Sequence, residues 1–258
     1  MTFVWTTIRS ASRLQLLFVA LSALLAVAAV RAIAADEAQF DTALVVSVDV
    51  SNSVDDERYK LQIEGIAKAL EDPGVIDAIT GGPNGGILFQ MVTWADRPSV
   101  ILRSTPIRNK QDALAVAQRV RKLPQQGGEF TCMTRMLRQA NDKIVPQISG
   151  KATRVVIDVS GDGPENCNPD EPIETVRDEL VASGVTINGL PIVDPAAEAE
   201  AKVKGTEGLE AWYTAHVKGG NGSFVLPAQG YDDFGRAIRQ KFVIEISGPF
   251  GAKNFAQR

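Results

Sequence analysis

The chain has 258 residues, 45% of them hydrophobic and 22% charged, the balance of a globular protein. Its 27 basic and 31 acidic side chains give a formal net charge of −4, with a single histidine. An acidic surface without basic clusters argues against a nucleic-acid partner, whose phosphates must be neutralised, and equally against anionic lipid.

Arg9 and Arg13 precede an apolar stretch from Leu16 to Val30, and Ala32-Ile33-Ala34 supplies a small-x-small pattern before Ala35-Asp36. This is the three-part layout of a secretory signal. Residues 1–34 are therefore expected to be a bacterial export signal cleaved near Ala34, leaving a periplasmic or secreted protein. Arg31 interrupts the apolar run before the roughly 20 residues that a spanning helix needs, so no stable membrane insertion is expected after cleavage. Without Arg9, Arg13 and Arg31 the balance becomes 24 basic against 31 acidic groups, a net −7. The remainder is of a size for one domain, expected over 35–248, with a flexible tail over 249–258.

Ala43 to Val50 is apolar and β-branched and reads as a buried strand. Asp55 is a plausible cap for a helix carrying Tyr59, Ile63, Ile66, Ala67 and Leu70, which Pro73-Gly74 is expected to stop. After a Gly-rich turn over 80–86, Ile87 to Trp94 reads as a second core strand and Ser99 to Ser104 as a short strand pairing with it. Helices are expected over Asn109–Leu123 and from Thr134 to about Val145. Thr153 to Val159 is another core strand, followed by a helix over Pro172–Ser183 and a strand over Val185–Val193. A helix over Thr206–Val217, a short last strand over Ser223–Leu226 and a closing helix over Asp232–Ile246 complete the series.

Strands separated by helices of this length require crossover connections, and so a mostly parallel sheet covered on both faces. The expected fold is α/β: a three-layer, doubly wound domain of Rossmann-type topology. Ligands in such sheets sit beyond the carboxyl ends of the strands. There the first strand delivers Asp49, Ser51 and Ser53, one carboxylate and two hydroxyls at alternating positions. A hard divalent cation takes this kind of oxygen set. Two further loops lie at corresponding ends: Gly127-Gly128-Glu129-Phe130-Thr131-Cys132, and Ser160-Gly161-Asp162-Gly163 after the strand that begins at Thr153.

In this ordered set the chain resembles the von Willebrand factor type A domain family, over roughly Thr42 to Ile246. The third loop, the export signal and the closing Phe224-Val225-Leu226-Pro227 and Tyr231-Asp232-Asp233-Phe234 segments are similar to an exported bacterial group known as a domain of unknown function. The resemblance implies a metal-ion-dependent adhesion site. Ser51, Ser53 and Thr131 would coordinate through hydroxyls, and Asp49 and Asp162 would ligate directly or through water. The ion would be Mg²⁺, with Mn²⁺ or Ca²⁺ as alternatives. An open coordination position would take a Glu or Asp carboxylate from a protein partner.

Cys132 and Cys167 are the only cysteines. In an oxidising compartment a pair is expected to be joined, the competing readings being two buried thiols or half of a metal site. A bridge would tie the second loop to the third. Glu129 and Glu165 are alternative carboxylates near the metal, or solvated loop charges. Trp94 reads as core or rim, and His216, beside Trp212 at helical spacing, as packed or surface rather than catalytic.

A metal-dependent protein-binding module of the bacterial cell envelope is the function this set implies. A Mg²⁺-dependent, phosphatase-like hydrolase with Asp49 as nucleophile is the alternative from another class. Against it, none of the three loops carries a Lys or Arg to hold a phosphoryl group. A third reading makes the ion a staple in a structural or assembly subunit.

Overall fold

The computed structural model describes residues 39–167 and 170–255, so the expected export signal lies outside it. Six strands form the order β3-β2-β1-β4-β5-β6. They are β1 (Phe40–Asp49), β2 (Ile87–Trp94), β3 (Ser99–Ile107), β4 (Ala152–Gly161), β5 (Val185–Val193) and β6 (Ala228–Gln229). Only β3 runs antiparallel to its neighbour.

All eight residues of β2 and all but one of β1 are buried, whereas the edge strand β3 is largely exposed. The apolar runs thus mark strands covered on both faces, and the polar run marks the edge. Successive side chains of β1 point to opposite faces. Leu44, Val46, Val48 and Val50 join one core with helices α1 (Asp56–Glu71), α2 (Pro73–Thr80), α3 (Lys110–Val120) and the closing helix. Ala43 and Val45 join the other, with α4 (Met133–Gln139), α5 (Val145–Ile148) and α6 (Ile173–Ala182). The three-layer doubly wound architecture is therefore the one expected.

Several local readings need correction. Helix α1 does end before Pro73, with Asp72 extended, but Pro73 also opens a helix that was not expected: the Asp72 carboxylate caps Gly74 and Val75 at the start of α2. Proline at a helix's first position gives up only an N–H that lacks an intrahelical acceptor in any case. The helix expected from Thr134 to about Val145 is present as α4, but passes through a π-helical turn, Ala140–Ile144, before continuing into α5. An unforeseen helix α7 (Pro195–Lys204) is capped by Asp194 and buries no side chain, so it carries no apolar periodicity to detect. The helix expected from Thr206 reduces to α8 (Leu209–Trp212) and a π-helical turn over Tyr213–Val217. In place of a strand over Ser223–Leu226, Val225 makes one bridge to Gly189, and the paired strand is β6. The last helix, α9 (Phe234–Phe255), continues past a non-helical Gly248 (φ 67°) into the segment expected to be a tail.

Helix α9 also buries charge against the sheet. Lys241 Nζ lies 2.9 Å from Glu245 Oε1 and 3.6 Å from Asp158 Oδ1 of β4, with all three side chains fully buried. Asn188 of β5 donates to Glu245 Oε1 at 2.8 Å. Among the described residues no helix is long and apolar enough to cross a membrane.

Candidate functional site

Strand β1 has β2 on one side and β4 on the other. The chain leaves β1 for β2 and β3, then returns to β4 and builds outward in the opposite direction. Their carboxyl ends therefore face a crevice at the topological switch point, where open α/β sheets hold ligands. Asp49 is the last residue of β1, and Asp162 follows the last residue of β4.

A chain of hydrogen bonds joins the expected residues. Asp49 Oδ1 accepts from the Ser51 N–H at 2.8 Å, which turns the backbone sharply after the strand. Ser51 Oγ and Ser53 Oγ lie 3.2 Å apart, and Ser53 Oγ donates to Asp162 Oδ1 at 2.7 Å. From the second loop, Thr131 Oγ1 donates to Ser51 Oγ at 3.4 Å. Asp49, Ser51, Ser53, Thr131 and Asp162 thus come from three loops to one place.

Asp49 is fully buried, and its Oδ2 has no hydrogen-bond partner among the described residues. Burial raises its pKa from 3.8 to about 7 against the lowering effect of the Ser51 N–H; the nearby Asp162 adds to the rise. A Cβ at Gly161 would lie 2.9 Å from both Asp49 Oδ2 and the Tyr213 hydroxyl. Glycine there lets the carboxylate and the phenol close in. The Tyr213 hydroxyl is itself buried without a partner, and burial, with Asp49 nearby, pushes its pKa up. Orphaned polar atoms are costly in a protein interior. A cation would supply the partner that Asp49 Oδ2 lacks.

The oxygen set has the chemistry of a hard-cation site. Among the described residues no group of three or more His, Cys, Asp or Glu is placed to hold a metal. The candidate ligands are instead two carboxylates and three hydroxyls.

The surrounding tethers were only partly foreseen. Cys132 and Cys167 form a disulfide with Cα atoms 4.9 Å apart. Alongside it, Asn166 accepts from the Thr131 N–H at 2.7 Å and returns its own N–H to the Thr131 carbonyl at 3.2 Å. Glu165 accepts from the N–H groups of Thr134 (2.6 Å) and Cys167 (3.0 Å). Both of its oxygens therefore hold backbone, α4 included. Asp96, beyond β2, accepts from the N–H groups of Glu129 (3.1 Å) and Phe130 (2.8 Å). Those two bonds hold its pKa below the ordinary value.

Two more residues complete the rim without having been read as part of the site from the sequence. Tyr231 donates to Asp162 Oδ2 at 2.9 Å. Burial and the Asp162 charge push its pKa up. Arg58 of α1 donates to the Ser53 carbonyl, lies 3.8 Å from Asp162 Oδ2 and sits over the Tyr231 ring. It arrives from a helix, so a search of the loops for a cation misses it. Trp94 is buried core. His216 packs 5.2 Å from the Trp212 ring, with Nδ1 bonded to Glu174.

Comparisons with solved structures place this geometry in a known fold. Proximal thread matrix protein 1 from the mussel byssus superposes with a TM-score of 0.55 at 15% identity, over 82% of this chain and 49% of that one. A second structure of that protein, with a zinc-occupied MIDAS motif, matches with the same TM-score at 16% identity and the same coverage. A von Willebrand factor type A structure from Catenulispora acidiphila matches with a TM-score of 0.53 at 17% identity, over 80% of this chain and 43% of that one. The fold is von Willebrand factor type A-like, and the chain spans about half the length of these solved chains or less. None of the curated proteins matches the chain in sequence. Residues 39–250 match one family model, and the chain belongs to that family, described as a protein of unknown function (DUF1194).

Proposed function

We propose that this protein is an exported, metal-dependent protein-binding module of the bacterial cell envelope. Asp49, Ser51, Ser53, Thr131 and Asp162 would hold a divalent cation, Mg²⁺ first and Mn²⁺ or Ca²⁺ as alternatives. The cation would supply an electrophilic contact for a Glu or Asp carboxylate of a partner protein. The observation that carries this reading is the buried Asp49 carboxylate at the end of β1: Oδ1 takes the Ser51 N–H, Oδ2 is unpartnered, and the hydroxyls of Ser51, Ser53 and Thr131 converge on one another in the same crevice. Two ionised carboxylates balance a divalent ion without over-neutralising it, so a third carboxylate from a partner still gains a charge-assisted contact. The zinc-occupied motif of the byssus protein supports a divalent cation in a fold of this kind.

The hydrolase reading gains a cation from Arg58, which reaches Asp162. It still lacks an accessible nucleophile. Asp49 has no exposed surface, and its free oxygen faces Gly161 and Tyr213.

The test is calorimetric titration of Mg²⁺, Mn²⁺ and Ca²⁺ into chelator-treated protein, with Asp162→Ala alongside. Saturable binding that the variant loses supports the site, and no binding by the wild type overturns it. A cation that only staples the structure would change the unfolding temperature without changing affinity for a carboxylate-bearing peptide.

A further inference from the structure

Beside the candidate metal site, past the loop that carries Thr131, lies an open cleft of about 830 Å³ lined by Asp96, Arg97, Gln126, Phe130 and Arg135, among others. Phe130 immediately precedes Thr131, so the cleft and the metal site share one loop. Phe130 is 46% exposed, and among the described residues it is the one aromatic counted with the exposed large hydrophobic side chains.

That exposure is not the result of a loose loop. The Phe130 N–H is bonded to Asp96, the following N–H to Asn166, and the next residue to Cys167 through the disulfide. The chain thus holds an aromatic ring out in water by three attachments. A backbone already fixed in the free protein has less conformational freedom to lose on binding, which is where affinity is otherwise lost.

The cleft is lined by one carboxylate, Asp96, and two guanidiniums, Arg97 and Arg135. Arg97 and Arg135 are both exposed. The Asp96 carboxylate already serves two backbone N–H groups through its two oxygens. Arg135 uses Nη1 on the Asp96 carbonyl, and Arg97 makes no hydrogen bond among the described residues. Guanidinium donors therefore remain for a ligand, on a chain whose overall charge is negative. Arginine and exposed aromatics are the residue types in which binding energy concentrates at protein interfaces.

We propose that this cleft receives the flank of the partner segment whose Glu or Asp reaches the metal. That segment is acidic and extended: a second carboxylate pairs with Arg97 and Arg135, and an apolar side chain packs on Phe130. The assignment rests on the metal-site reading above and adds the chemistry that would select one carboxylate-bearing partner over another.

The experiment selects displayed random peptides around one fixed glutamate on immobilised mature protein, in Mg²⁺ and in chelator. Binding of the selected peptides is then measured for wild type, Arg97→Glu and Phe130→Ala. Metal affinity of each protein is titrated separately. The expected result is Mg²⁺-dependent enrichment of peptides with a second acidic residue and an apolar neighbour. Affinity should fall about tenfold or more in each variant at unchanged metal affinity. Reselection on Arg97→Glu should turn the flanking preference from acidic to basic, which a misfolded variant would not do. Enriched peptides without a flanking acid, bound within twofold by Arg97→Glu, overturn the cleft assignment and leave the metal site standing. Loss of Mg²⁺ binding in the titration itself overturns both.

Discussion

In the metal-free protein the carboxyl of Asp49 is held at about 7 instead of its ordinary 3.8, chiefly because burial penalises the charged form. Such a gap makes its ionised form cost about 4 kcal/mol in the folded state. The sign follows from linkage: the group is protonated in both states below pH 3.8, so it has no effect there. Between 3.8 and 7 the unfolded chain releases the proton and the folded chain keeps it, so stability falls as pH rises and the full loss is reached above 7. From pH 5 to pH 8 that amounts to about 3 kcal/mol. Asp49→Asn keeps an oxygen for the Ser51 N–H and removes the titration. Urea unfolding of chelator-treated protein at pH 5 to 8 should show wild type losing this increment relative to the variant, which ends up to about 4 kcal/mol more stable at pH 8. Mg²⁺ should restore the wild type at pH 8 and leave Asp49→Asn unchanged. Parallel pH profiles for the two proteins would refute the burial argument, and an equal Mg²⁺ response would refute the role of Asp49.

Thr131→Val keeps the shape of a buried side chain and removes one hydroxyl. Calorimetry should show metal affinity down about tenfold or more, with metal-free stability within about 1 kcal/mol of wild type. The Cys132–Cys167 bond closes a loop with a sequence separation of 35. Replacing both residues by serine should cost about 4 kcal/mol in denaturant unfolding on the chain-entropy estimate. Lys241→Met leaves Asp158 and Glu245 buried without their cation. It should destabilise by roughly 3–5 kcal/mol, and adding Glu245→Gln should recover part of that loss.

The strands were legible because a parallel strand covered on both faces must be apolar throughout, and β2 and β5 run from Ile87 to Trp94 and from Val185 to Val193, as read. The three loops were legible because Asp, Ser and Thr stand directly after or between such elements. Elements stabilised by caps instead of buried faces were not. Helix α7, capped by Asp194, buries nothing. Side chains that arrive from elsewhere were equally hidden. Arg58 looks like one of many surface arginines until α1 is packed beside β1. Lys241 and Glu245 look like a solvated i, i+4 pair until α9 is laid on the sheet over Asp158. Glu165 read as a carboxylate near a metal; only its two backbone donors show that it organises the loop.

The two acidic residues of the site are not equivalent, and their difference bears on which would bind a cation most strongly. Asp162 already accepts from Ser53 and Tyr231 and lies 3.8 Å from the Arg58 guanidinium. A cation there replaces interactions that exist. Asp49 has one backbone N–H on Oδ1 and nothing on Oδ2. A cation beside it supplies an interaction where burial has removed water and the protein has put nothing in its place. The differential stabilisation of the bound state should therefore come mainly through Asp49. Asp162 would still ligate the ion, with a smaller net gain because Ser53, Tyr231 and Arg58 compete for the same carboxylate. On this reasoning, removing Arg58 frees Asp162 for the ion and strengthens metal binding, whereas removing Asp49 leaves hydroxyls with no buried charge to anchor a cation among them.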